Sequence, residues 1–158
     1  MSPIALSYRD YTALPADGRR YQILDGELCV TPAPGTRHQE IVANLGTALH
    51  AHVRAHGLGK VYFAPVDVIL SDSSIVQPDI VLAIEVLSPT TTNLDRRRKR
   101  ELYARHSVPY YWIVDGDERT IEMYRLAGEV YELVATEAGD SLIAVDPVPG
   151  LALTDIWP

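Results

Sequence analysis

The chain holds a single cysteine, Cys29, which excludes an internal disulfide and any cysteine zinc cluster. No apolar run approaches the roughly 20 residues that span a bilayer. The opening MSPIALSYRDY has neither the basic start nor the apolar stretch of a signal peptide. Together these point to a soluble, cytoplasmic protein with no membrane partner. Repeats, low-complexity tracts and interdomain linkers are also lacking, so 158 residues read as a single domain, 1–158. A domain of that size buries roughly 70% of its unfolded surface and needs no covalent staple. Positive charge is scarce as well. The net charge of −7 argues against non-specific nucleic-acid binding over the whole surface.

One local exception is the run of five cations at 96–100, RRRKR. A nucleic acid would dock there, through Arg96, Arg97, Arg98 and Arg100. The other reading of that run is an ordinary solvated helix face.

Periodicity predicts the order α β β α β β β α β β β, an α/β (α+β) arrangement with a mixed sheet, helices packed on it and β-hairpins. Ser7 is a candidate N-cap for a short helix over 7–14, stopped before Pro15. YQIL and ELCV flank Asp25-Gly26, a two-residue hairpin signal, because both turn positions need positive φ. Thr36 and Gln39 have the spacing of a capping box. Behind them Ile41, Val42, Leu45, Ala48, Leu49 and Val53 recur at helical spacing, with Gly57 or Gly59 as the stop. VYFAPVDVIL and SIVQPDIVLA read as strands around a turn at 71–74, and IEVLS as a third. A second helix covers 94–105, capped by Thr92 or Asn93. YYWIVD, TIEMYRL and VYELVA form a meander, and an extended, Pro-rich tail follows.

The stretch 76–103, VQPDIVLAIEVLSPTTTNLDRRRKRELY, carries the chemistry. Asp79 and Glu85 lie in apolar strand-like sequence, where a charge must be paired, bind a metal or give up its ionisation. Two carboxylates can hold a hard divalent cation, preferably Mg²⁺. Such a cation polarises a phosphate oxygen and activates bound water, and a nearby lysine can offset the developing charge. Asp95, Lys99 and Tyr103 recur at every fourth position of the helix. Asp95 and Lys99 also fit a plain i, i+4 salt bridge, and Tyr103 fits packing.

QPDIV, EVLSP, D-x-x-x-K-x-x-x-Y and VPYYWIVD, together with YQILDGEL and PGTRHQEI, resemble the Uma-type putative restriction endonuclease family of the PD-(D/E)XK nuclease superfamily. The similarity covers nearly the whole chain. It implies a restriction-endonuclease-like fold and a Mg²⁺-dependent endonuclease (Mn²⁺ as substitute) hydrolysing DNA phosphodiester bonds. It also implies Asp79 and Glu85 as metal ligands. Leu87 stands where the superfamily has its lysine, and the resemblance gives that role to Lys99. His38 matches a recurrent family position, which implies a place at the site; a capping role is the alternative. Gln22 stands where relatives carry an acid, and Asp25 or Glu27 are nearby substitutes.

Only five residues separate Asp79 from Glu85, where relatives have a long connection. Six steps of one strand at about 3.3 Å cover roughly 20 Å, whereas two oxygens on one Mg²⁺ are at most about 4.2 Å apart. A single continuous strand therefore keeps these acids from sharing a cation. Leu82-Ala83 also lacks the glycine, asparagine or aspartate that tight hairpin turns want. Three explanations are open: a loop absent from this sequence between Ala83 and Ile84 (the favoured one), a deletion that breaks the site, or a sharp bend. Three functions follow. The first is a DNA endonuclease, acting as a homodimer if both strands are cut. The second is a catalytically inactive nuclease fold serving as a nucleic-acid-binding or protein-interaction module. The third is a hydrolase of small phosphate esters.

Overall fold

The computed structural model describes residues 5–80, 84–88 and 92–158. The element order is α1 (Tyr8–Thr12), β1 (Arg20–Leu24), β2 (Glu27–Thr31), α2 (Thr36–Ala55), β3 (Val68–Ser71), β4 (Ser74–Val76) and β5 (Ile84–Val86). A π-helical segment (Leu94–Lys99) then runs into α3 (Arg100–Arg105), followed by β6 (Tyr110–Asp115), β7 (Thr120–Ala127) and β8 (Val130–Ala138). This is the expected order.

Local chemistry explains the early elements. Ser7 and Asp10 cap α1 reciprocally: Ser7 Oγ accepts from the Asp10 amide, and Asp10 Oδ2 accepts from the Ser7 amide at 2.8 Å. Asp25 and Gly26 take φ values of 53° and 79°, as a two-residue hairpin turn requires. The α2 cap differs from expectation. Thr36 is already helical, Gly35 is the cap residue, and no side chain bonds to the exposed amides. Gly57, at φ 64°, follows the end of α2. Neither Thr92 nor Asn93 caps the second helix, since both already lie within it.

The expected single mixed sheet is divided in two. One sheet has the order β2-β1-β4-β3 and is antiparallel throughout; the other has the order β5-β6-β7-β8 with β5 parallel to β6. Strand β3 is also shorter than VYFAPVDVIL suggests. Within 61–67 only Phe63 forms a bridge, to Ile80, and Pro65 has no N–H to give a ladder. Ile80 bridges both Phe63 and Ile84, the first residue of β5.

That bridge corrects the picture of one continuous strand. The Ile80 and Ile84 backbones exchange hydrogen bonds of 3.4 and 3.2 Å, antiparallel, so the chain reverses between them. The junction of Ala83 with Ile84, and the readings placed on residues 81–83 and 89–91, lie outside the described residues.

β6 separates two cores. Trp112 and Val114 join Ile84, Val86 and the α2 stripe of Ile41, Val42, Leu45 and Leu49. Tyr111 and Ile113 face the other way, into a cluster with Leu102 and Tyr103 of α3. Alternate residues of a strand point to opposite faces, which is why 111–114, YWIV, are buried throughout: both faces are covered. The same alternation in β5 sends Ile84 and Val86 toward α2. Glu85 points to the opposite face, that of Lys99 and Tyr103. The tail closes the α2 core with Leu151, Leu153, Ile156 and Trp157. Among the described residues no helix is long and apolar enough to cross a membrane.

A Cβ on Gly26 would meet the Ala5 Cβ at 2.6 Å and Cα at 3.0 Å, at a φ that L-residues rarely adopt. Gly26→Ala should therefore cost about 1–3 kcal/mol, read as a lower urea midpoint. An unchanged midpoint would show that the hairpin does not need this turn.

Candidate active site

Asp79, Glu85, Asp95 and Lys99 are all buried, and all four line one pocket of about 240 Å³ together with Arg20, Gln22, Thr31 and His38. The reversal at Ile80 and Ile84 makes this possible. Asp79 lies just before the bridge and Glu85 just after it, so both acids return to the same end of the sheets. The Val86 amide donates to Asp79 Oδ2 at 3.0 Å, a direct tie between the two sides of the reversal.

Each acid is held by donors of a different kind. Asp79 Oδ1 accepts from Arg20 Nη1 at 3.1 Å, and Oδ2 lies 3.1 Å from His38 Nε2. Arg20 Nη2 also donates to the Gln77 carbonyl at 2.6 Å, which fixes the guanidinium. Burial alone would raise the Asp79 pKa; the His38 hydrogen bond, the Arg20 charge and the Val86 amide outweigh it and hold the carboxyl below its ordinary range.

Glu85 is placed differently. Its Oε2 accepts from Lys99 Nζ and its Oε1 from the Tyr103 hydroxyl, both at 2.9 Å. Lys99 also lies 3.2 Å from Asp95 Oδ1. The salt bridge read from the Asp95/Lys99 spacing is thus present, and Lys99 serves two carboxylates at once. Tyr103 both packs against Tyr111, with ring centroids 5.4 Å apart, and bonds Glu85. Burial dominates at Glu85: with Asp95 and Asp79 nearby it outweighs Lys99 and pushes the pKa up to about 8. Burial works against the Lys99 charge, but Glu85 and Asp95 raise its pKa nonetheless.

Other sequence expectations fare unevenly. His38 sits at the site and supports Asp79 rather than capping α2. Gln22 lines the pocket, whereas Asp25 and Glu27 pair outward with Arg105 and Arg98 at 2.7 and 2.8 Å. Neither takes the place of an acid at position 22. The run of cations is not one free patch. Arg96 is committed to Glu122 at 2.8 Å and Asp115 at 3.7 Å, and Arg100 lies 5.2 Å from the Tyr124 ring centre. Arg97 and Arg98 are exposed.

Arg20 and Thr31 were not singled out from the sequence. The available signal was register: Arg20 lies opposite Thr31 across the hairpin and shares a strand face with Gln22.

Glu85 has a sign that can be tested. A carboxyl raised from 4.5 to about 8 on folding holds its proton more tightly in the folded state. The resulting stability is complete below about pH 4.5 and is lost as pH rises through about 8. The metal-free melting temperature should fall between pH 5 and 9, and Glu85→Gln should flatten that fall. Parallel curves for the two proteins would exclude a raised Glu85.

Comparisons with known proteins give the family and the fold. The family Uma2, described as "Putative restriction endonuclease", matches residues 8–84 and 80–155. The two matched pieces meet at the reversal that carries the short Asp79–Glu85 spacing. A solved structure described as a "putative nuclease belonging to DUF820" from Anabaena variabilis ATCC 29413 has a TM-score of 0.74 at 19% identity. That likeness covers 96% of this chain and 97% of the other, and it supports the restriction-nuclease-like fold. Among curated proteins none matches. The chain belongs to the Uma2 family.

Proposed function

We propose that this protein is a Mg²⁺-dependent endonuclease that hydrolyses DNA phosphodiester bonds, with Mn²⁺ able to replace Mg²⁺. The observation that carries this reading is the convergence of Asp79, Glu85 and Lys99 on one pocket, despite a spacing that keeps the acids apart on a single strand.

The donor set is compatible with such a cation. Three carboxylates (Asp79, Glu85 and Asp95) face two positive charges, Arg20 and Lys99, and Glu85, its pKa raised to about 8 in the metal-free protein, gives up its proton when a cation is held. Both oxygens of Asp79 and of Glu85 already have internal donors within 3.1 Å. Among the described residues no group of three or more His, Cys, Asp or Glu is placed to hold a metal ion. A cation held here takes few protein ligands and keeps most of its waters, as Mg²⁺ can. Asp79 and Glu85 are the residues that hold it in this proposal.

When bound, Mg²⁺ polarises a phosphate oxygen and lowers the pKa of a water. The chain does the rest. Arg20, His38 and the Val86 amide keep Asp79 ionised and aimed, while Tyr103 and Asp95 position Glu85 and Lys99. The Lys99 ammonium is the group that offsets charge on the scissile phosphate. His38 acts on Asp79 first and touches substrate only from the pocket wall. Arg97 and Arg98 contact the strand outside the pocket, flanked by Arg96 and Arg100, which gives binding that weakens with salt. Residues 1–158 form one domain in this reading, in a cytoplasmic protein, and a C₂ homodimer serves double-strand cleavage.

A second reading, an inactive fold that binds nucleic acid or another protein, is favoured by Gln22 and by the internally bonded carboxylates. Calorimetry with Mn²⁺ separates the two. Heat lost in Asp79→Ala supports the enzyme, and no heat from wild type supports the inactive module.

Mg²⁺-dependent nicking of plasmid DNA should be abolished in Asp79→Ala and in Glu85→Ala. Lys99→Gln should slow it about 10²–10³-fold while keeping the wild-type circular-dichroism spectrum. Equal activity in all four preparations points to a contaminant and removes the proposal.

A further inference from the structure

One wall of the pocket consists of donors without acceptors. Arg20 Nε, the Gln22 side-chain nitrogen and Thr31 Oγ1 are buried and have no hydrogen-bond partner. All three residues line the pocket that holds Asp79 and Glu85. Register explains the grouping: Arg20 pairs directly with Thr31 across the β1–β2 hairpin, and Gln22 lies two residues along β1, so the three share one face of that sheet.

The orientation of Gln22 is settled by its neighbour. The Gln77 amide donates to Gln22 Oε1 at 2.9 Å. An N–H needs an acceptor there, so the amide cannot flip and its NH₂ is left for the pocket. Gln22 and Thr31 are only 1% and 9% exposed, so bulk water does not satisfy them. Buried polar groups are almost always paired, and three unpaired donors on one wall mark a place for a ligand acceptor. The adjoining wall is built the other way, from the acceptor oxygens of Asp79, Glu85 and Asp95.

We propose that Arg20, Gln22 and Thr31 form a phosphate-oxygen subsite, which takes a non-bridging oxygen of the substrate phosphodiester beside the carboxylate wall. Small rotations of the Thr31 and Gln22 side chains bring their donors onto the incoming oxygen. An acid at position 22 would present acceptors to a cation; glutamine presents two N–H bonds to an anion. Gln22 is then a binding residue and not a degraded metal ligand. This deepens the nuclease reading and rests on it for the identity of the phosphate as part of DNA.

The test uses inorganic phosphate on metal-free protein in EDTA, titrated by calorimetry, alongside plasmid nicking in Mg²⁺. Gln22→Glu keeps the acceptor for the Gln77 amide but turns the donor into a negative charge; it should weaken phosphate binding on the order of 100-fold. Thr31→Val keeps the shape and deletes only the hydroxyl. It should weaken binding about 5-fold without lowering the melting temperature, because the deleted hydroxyl has no partner in the free protein. A purely structural Thr31 would give the opposite pattern, a lower melting temperature and unchanged binding. Phosphate binding that is absent from wild type, or equal in all three proteins, overturns the subsite even if plasmid is nicked. Variant-sensitive phosphate binding without any nicking supports the subsite and rejects the nuclease.

Discussion

A carboxylate in a dry interior has to be answered by positive charge and hydrogen-bond donors, and the architecture around Glu85 is that answer. Side-chain alternation in β5 aims Glu85 away from α2. A helix must therefore cross that face with a cation and a hydroxyl one turn apart. The π-helical segment carries Asp95 and Lys99 and runs into α3, which carries Tyr103, and Lys99 reaches both Glu85 and Asp95. Isolated buried ion pairs often return little net stability, since desolvation consumes the attraction. A cluster of this kind is better explained by what it does to a ligand than by what it adds to the fold. The π-helical geometry supports the same view, because such segments concentrate at functional sites.

The two halves of the site impose different electrostatics. Asp79 is answered by Arg20 and His38, partners near the rim, and stays readily ionised. Glu85 is answered from the interior and holds its proton more tightly. Two acids of similar intrinsic strength are thus driven apart by their surroundings, the pattern expected where carboxylates share work. The donor wall of the β1–β2 hairpin completes the pocket, so that negative, positive and neutral-donor surfaces meet within one cavity.

Much of the fold is legible in the residues because its signals are local. Ser7 and Asp10 cap each other within one turn, Asp25-Gly26 admits few conformations other than a tight hairpin, and the α2 stripe repeats with the helix. The division into two sheets is not legible, because it depends on which strands pair at a distance. The YYWIVD pattern reports only that both faces are covered. Asp79 and Glu85 could be named because acids in apolar sequence are conspicuous, and Lys99 because the family resemblance gives it the lysine role. Arg20 and Thr31 could not: an arginine at a strand end and a threonine before prolines look ordinary until register sets them side by side. Asp25 and Glu27 do not stand in for an acid at position 22, for a related reason. Both lie on the hairpin, but ion pairs with Arg105 and Arg98 draw them to solvent.

The Ile80–Ile84 bridge bears on what a longer connection at this point would do to the site. Its two hydrogen bonds pinch the chain shut before Asp79 and Glu85 are reached, much as a drawstring closes a bag whatever its depth. Extra residues inserted beyond the pinch add only the slowly growing entropy of a larger loop and need not disturb the carboxyl groups below it. A longer connection at this point would then leave the pocket below the neck as it is.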